Sequence, residues 1–271
     1  LKPAQKGVCG GDRTMLLSFA GAAYVKITEG CNNRCSFCAI PIIRGELRSR
    51  PADDIIAEIQ KLVSQGIYEL NLIGQDLAAY GTGAGDNVFG WGPTLLPAGS
   101  PGECTEAADT ASAGSRLPAA PQGLLSESGL CTLLKRISAL PGTFRVRLLY
   151  IHPDHFNEDI LPVIKADGRI LPYFDIPFQS GDDQTIRAMH RTGSAAAYRA
   201  LVEKIRSYFP EAALRTTFLA GFPGESAQAA EHTLQFLRDI SPDWSGCFPY
   251  SKEDDTPAAG LKGQVAKKTK Q

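Results

Sequence analysis

"AAYVKITEGCNNRCSFCAIP", residues 22–41, sets a strand-like run directly against a loop that carries three cysteines. The run "AAYVKIT" (22–28) is rich in aromatic and β-branched residues and predicts the first β-strand. Cys31, Cys35 and Cys38 follow its C-terminal end, with three residues in the first gap and two in the second. The chain then repeats the strand-and-helix alternation that starts here. "RPADDIIAEIQKLVSQG" (50–66) predicts a helix, with Pro51 in its first turn, Asp53 and Asp54 at the positive end of its dipole and Gly66 as its stop. "YELNLIG" (68–74) is the second strand, "TLLKRISAL" (132–140) a helix and "FRVRLLYI" (144–151) the third strand. "NEDILPVIKADG" (157–168) is helical and "PYFDIP" (172–177) is the fourth strand. A helical stretch over 182–208, broken near Gly193, leads to the fifth strand, "AALRTTFLAG" (212–221). "SAQAAEHTLQFLRDI" (226–240) is helical and "WSGCFPYS" (244–251) is the sixth strand. Six β/α units in series predict an α/β fold with a parallel sheet and right-handed crossovers, a partial (β/α)6 TIM-like barrel. Chemistry in such barrels sits on the loops after the strands, and the cysteine loop is one of them.

One segment breaks the rhythm. Residues 82–129 are rich in Gly, Pro, Ala and Ser and have no periodicity, which reads as a mobile surface insertion after the second strand. Cys104 lies inside it, which argues against a structural metal role for that residue.

Bulk properties set limits. The chain has 271 residues, enough to bury a large core without disulfides. Its 28 Lys and Arg against 29 Asp and Glu, a formal charge of −1, argue against a general polyanion binder. Seven cysteines, three of them clustered, do not resemble a secreted disulfide scaffold. No apolar run is long enough to span a bilayer and no signal peptide opens the chain, so a reducing cytoplasm is the expected setting. The first residue is Leu1, so the chain is read as a fragment of something longer.

Thiolates select soft metals: zinc, copper(I) or iron–sulfur clusters. Structural zinc wants four closed ligands, commonly in paired C-x2-C units, and no second pair follows here. A 4Fe–4S cluster on Cys31, Cys35 and Cys38 would leave one iron without a protein ligand, open to a small molecule. Zinc, or plain structural cysteines, is the competing reading.

The spacing is similar to that of radical S-adenosylmethionine (SAM) enzymes, in which SAM chelates the open iron. Longer stretches narrow the match. "AYVKITEGCNNRCSFCAIPIIRGELRSRP" (23–51), "LIGQDLAAYG" (72–81), "RLLYIHPDHF" (147–156), "YFDIPFQSGDDQTIRAMHRTG" (173–193), "LRTTFLAGFPGES" (214–226) and "YSKEDDTPAA" (250–259) follow the order seen in radical SAM methylthiotransferases. Within that family the chain most resembles the branch that adds a methylthio group to an aspartate Cβ of small-subunit ribosomal protein twelve, by way of a 5′-deoxyadenosyl radical. The alternative is the branch that methylthiolates an adenosine in tRNA. "GQD", "LLYIHP" and the acids of "YSKEDDTPAA" stand where the tRNA enzymes tend to have "GQN", "TSxHP" and a base. The cysteines alone also allow a non-enzymatic iron–sulfur carrier or zinc-held module.

The resemblance implies roles for further residues. Phe37 would lie against the adenine of SAM, or simply pack. Gly74, Gln75 and Asp76 end the second strand where such enzymes hold the SAM amino group, and a strand-ending turn would look the same. Gln179 would reach the ribose hydroxyls, and Arg215 the SAM carboxylate or the substrate, unless each is a paired polar residue of the barrel. Gly221, Pro223, Gly224 and Glu225 form a turn whose N–H groups would meet the adenine region, or a plain strand-to-helix turn. Arg44, Arg48 and Arg50 read as a solvated loop, and His152 and His155 as structural or rim residues.

Implied partners are the ribosomal protein and an electron donor such as flavodoxin or ferredoxin, with tRNA only under the alternative. The family also carries an N-terminal domain with an auxiliary cluster. Cys9, Cys104, Cys131 and Cys247 do not reproduce its pattern, and Cys247 reads as a buried thiol in a strand. The second 4Fe–4S cluster is therefore expected only in a full-length protein. Residues 1–21 read as a linker remnant, 22–259 as the radical SAM core and 260–271 as the start of a truncated C-terminal extension. Such a core would cleave SAM without completing methylthiolation.

Overall fold

The computed structural model describes residues 18–89 and 127–270. The first strand, β1 (Ala22–Lys26), leaves the main sheet after Ile27 and continues as β2 (Thr28–Glu29), which pairs antiparallel with β3 (Arg48–Ser49). This two-stranded clasp brackets the cysteine loop and a short helix, α1 (Ile40–Arg44), neither of which has a pattern long enough to read from sequence. Helix α2 (Ala52–Ser64) follows, with Pro51 at its N-cap and Gly66 at φ +86° just past its end. Then come β4 (Glu69–Ile73), α3 (Gly129–Ser138), β5 (Arg145–Leu148), α4 (Ile160–Ala166) and β6 (Ile170–Asp175). The last units are α5 (Asp183–Ala188), α6 (Ala195–Tyr208), β7 (Ala213–Ala220), α7 (Ala227–Ile240), β8 (Trp244–Pro249) and α8 (Lys267–Lys270). Ser128, Asp182, Ser194 and Ser226 cap α3, α5, α6 and α7 by accepting a backbone N–H in the first turn.

The six long strands pair in parallel in the order β1-β4-β5-β6-β7-β8. Among the described residues β1 and β8 do not pair with each other, so the barrel is partial and open, as expected. Alternate residues of the strands, such as Val25, Leu70, Leu72, Val146, Leu148 and Leu214, are buried in one core with Ile55, Ile59, Leu133, Ile137 and Phe236 of the helices. The other face carries a polar layer. There Arg147 meets Glu69 (3.2 Å) and the Tyr173 ring (4.5 Å), and Arg215 meets Asp175 (3.0 Å) across the β6–β7 register.

The insertion read at 82–129 is anchored at both ends. Val88 is buried, its carbonyl accepts the Ala52 N–H, and Asp86 accepts from Ser49 N and Gly83 N. Ser128 and Gly129 open α3. The middle of the insertion, with Cys104, lies outside the described residues, as does Cys9.

Two expectations change. Arg50 is not in a solvated loop: it is 3 % exposed, 2.6 Å from Glu58, and donates to Lys26 O. It sits where the chain re-enters the core at α2, so its charge needs those partners. Cys247 is exposed, because β8 is the edge strand and most of its residues are open to solvent.

Candidate functional site

Where the strands end, their loops enclose a cavity of ≈320 Å³. Cys31, Cys35, Phe37 and Cys38 come from the loop after β1, Gly74 and Gln75 from the end of β4, and Tyr150 and His152 from the segment after β5. Gln179 follows β6, and Arg191 comes from the break between α5 and α6. The cysteine loop is folded on itself: Cys38 N donates to Cys35 O (3.0 Å) and Cys31 N to Gly45 O (3.2 Å). Gly30, at φ +78°, allows this, since a Cβ there would lie 2.1 Å from Glu46 O.

Cys35 is buried and Cys31 and Cys38 are half-buried. Burial pushes the Cys31 thiol up to about 11. It also raises Cys35, against the pull of the Arg191 charge. Thiols held in this way need a bound metal to take their protons off. Among the described residues no three His, Cys, Asp or Glu side chains are placed to hold a single metal ion, so the three thiols share the cavity without converging on one point. Each thiolate of a cubane cluster binds a different iron, and such a set need not converge.

Asp76 turns away from this cavity. Its carboxylate accepts from Asn33 Nδ2 (3.0 Å), Ala78 N (3.1 Å), His152 N (3.2 Å) and His155 Nδ1 (2.9 Å). Burial raises its pKa, but the bonds from His155 and Asn33 outweigh burial and hold the carboxyl below the usual range. The same bond to Asp76 raises His155. Asp76 thus ties the cysteine loop to the segment after β5. His152 is buried beside it, with Nε2 3.8 Å from Cys35 Sγ. Burial, with the nearby Arg191 charge, lowers its imidazole to about 4 and keeps it neutral.

Sequence reasoning missed Arg191. It is 6 % exposed, and its Nη1 donates to Pro177 O (2.7 Å) and Phe178 O (3.3 Å). Its Nε is buried without a hydrogen-bond partner, and so is Oε1 of Gln75, on another wall of the cavity. Among the described residues Arg191 forms no ion pair. The local "MHRTG" gave one weak signal, a cation at a helix break; its contacts are with residues distant in sequence. Tyr150 was also missed. It stands at φ +66°, and Arg34 (φ +49°) and Gln179 (φ +69°) line the same cavity in the left-handed region. Strained backbone of this kind collects where function holds it.

Gly74 touches Thr28 so closely that a Cβ would lie 2.0 Å from its Oγ1. Phe37 lines the cavity and also packs on the small cluster of Met189, Phe222, Tyr250 and Ala258. Arg215 and the 221–225 turn do not line the cavity. Arg215 pairs with Asp175, and Glu225 accepts from Gly221 N within its own turn.

A family model described as the Radical SAM superfamily matches residues 25–237. The chain is 48% identical over 284 aligned residues to "Ribosomal protein uS12 methylthiotransferase RimO" of Treponema denticola, covering 99% of this chain and 53% of that protein. It is 37% identical to the protein of the same name from Desulfotalea psychrophila, over 90% of this chain and 46% of that one. The chain thus spans about half the length of the curated relatives it matches. Among solved structures, the radical SAM methyltransferase TsrM of Kitasatospora setae aligns with a TM-score of 0.60 at 14% identity, over 87% of this chain and 35% of that one. Coproporphyrinogen III oxidase (HemN) of Escherichia coli aligns with a TM-score of 0.54 at 15% identity, over 91% and 49%. These last two speak for the fold alone. The family match, laid over a cavity with three cysteines, identifies these 271 residues as belonging to the radical SAM superfamily, whose members carry a 4Fe–4S cluster and use SAM.

Proposed function

We propose that the chain is the radical SAM core of a methylthiotransferase that modifies an aspartate of ribosomal protein uS12. Cys31, Cys35 and Cys38 would hold one 4Fe–4S cluster. When bound, that cluster would supply the electron for the reductive cleavage of SAM. The observation that carries the reading is that the three thiols share one cavity with Gln75 and Arg191, each of which keeps a buried polar atom, Oε1 and Nε, without a partner. They complement the ammonium and carboxylate of an amino-acid head group, and both are buried where an unmet polar atom is costly. In this reading the β4 end at Gly74 holds the SAM amino group, Gln179 takes the ribose, and Phe37 lies against the adenine. Asp76 orients the loops that carry these groups. Arg215, the Gly221 turn and Glu225 do not line the cavity and stand outside this first set.

The long relatives named as uS12 methylthiotransferases favour the protein substrate. In this reading the second 4Fe–4S cluster belongs to the longer protein, and Cys131 and Cys247 stand outside the cavity. A flavodoxin- or ferredoxin-type donor supplies electrons in the cytoplasm. No helix among the described residues is long and apolar enough to cross a membrane.

The test is product analysis of the reconstituted, reduced chain. It should release 5′-deoxyadenosine from SAM, and the full-length protein should methylthiolate a uS12 peptide. Absence of 5′-deoxyadenosine contradicts the radical reading, and modification of tRNA in place of the peptide contradicts the substrate.

A further inference from the structure

The ring of His152 is held in one tautomer. Its Nδ1 accepts the backbone N–H of Asp154 (3.2 Å), so that nitrogen carries no proton, and the proton of the neutral ring sits on Nε2. Nε2 lies 3.8 Å from Cys35 Sγ inside the fold. The backbone around the ring is pinned as well. His152 N donates to Asp76 Oδ1 (3.2 Å), and the His155 ring lies 5.0 Å away at a 31° tilt. The Asp154 carboxylate accepts from Tyr198 OH (2.6 Å) and Thr192 N (2.8 Å), tying this segment to the loop that carries Arg191. Gly193 lets that loop come close, since a Cβ there would lie 2.6 Å from Asp154 Oδ1. These contacts hold the ring segment with Nε2 3.8 Å from one sulfur.

We propose that His152 is a positioning residue for the iron–sulfur centre: its Nε2–H donates to the Cys35 thiolate and raises the reduction potential of the cluster. The proposal rests on Cys35 being a cluster ligand, as proposed above. Reduction adds an electron whose charge spreads onto the sulfurs, so a donor to a sulfur binds the reduced state more strongly than the oxidised one. A buried donor does so with little screening by water.

The test is a potentiometric titration of the anaerobically reconstituted chain, followed by EPR of the reduced cluster. H152L removes the donor, and H152Q keeps an N–H at the end of a side chain of similar reach. At a fixed applied potential the H152L cluster should show a reduced-to-oxidised ratio about tenfold lower than wild type, which is about 59 mV more negative for a one-electron couple. H152Q should recover most of that change. Equal midpoints in wild type and H152L at equal iron content overturn the proposal, and so does an H152Q protein that tracks H152L. A readout that needs no variant is pulsed EPR of wild-type chain labelled with 15N-histidine. A weak histidine nitrogen coupling to the reduced cluster is expected, and its absence overturns the proposal. A wild-type chain that takes up no cluster overturns the ligand reading itself, and this inference with it.

Discussion

Arg191 contributes a buried guanidinium, its Nε without a partner, to a cavity that Gln75 also lines. Loss of the guanidinium should therefore weaken ligand binding more than it weakens the fold. R191Q, with iron content unchanged, is expected to bind SAM about tenfold or more weakly, in line with a charged hydrogen bond worth about 1.5–3 kcal/mol. Isothermal titration with the reconstituted protein measures it, and unchanged affinity would remove Arg191 from the site. R191K should not restore binding, because an ammonium lacks the planar fork. The Asp76–His155 pair has a pH signature of its own. His155 is raised above 6.5, so its contribution to stability is complete below that value and is lost as pH rises through the folded-state value. Asp76 is lowered below 3.8, so its contribution is present above that value and is lost as pH falls through the folded-state value. The stability gap between wild type and H155N should be widest between those limits, at about pH 5–6, and should narrow toward about pH 9. Denaturant titrations at the two pH values check this; a gap that widens with pH would reverse the assignment.

Elements with a full period were legible in the sequence, and elements held by distant partners were not. The alternation in "AAYVKIT" and the 3.6-residue spacing of Ile55, Ile59 and Leu62 in α2 each carry their structure locally. The break at Gly193 was legible as well, with α5 ending at Ala188 and α6 starting at Ala195. In contrast, β2 and β3 are two residues each and exist only because the chain on both sides of the cysteine loop is drawn together. The burial of Arg50 follows from the same clasp, which no charge pattern in "ELRSRP" records. Its pair with Glu58 should behave as a buried ion pair. R50M removes the guanidinium partner of a buried carboxylate and should cost more stability than the double variant R50M/E58L, which removes both charges. Urea denaturation of wild type, R50M and R50M/E58L decides this, and a double variant less stable than R50M would contradict it.

For the molecule as a whole, six strands ending on one rim bring together residues from position 31 to position 191 around a single cavity. The three cysteines were visible in the sequence because their chemistry needs close spacing. Arg191, Tyr150 and the Cys35–His152 contact were not, because the sheet order alone makes them neighbours. The same sheet order leaves Arg215 and Glu225 outside the cavity, on the flank toward β8. Three thiolates should carry about four irons per chain. The most direct measurement is the EPR spectrum of the reconstituted, reduced chain with and without SAM. An open iron predicts a cluster signal that shifts when SAM is added. A zinc-loaded protein, or a cluster signal that SAM leaves unchanged, would contradict the account.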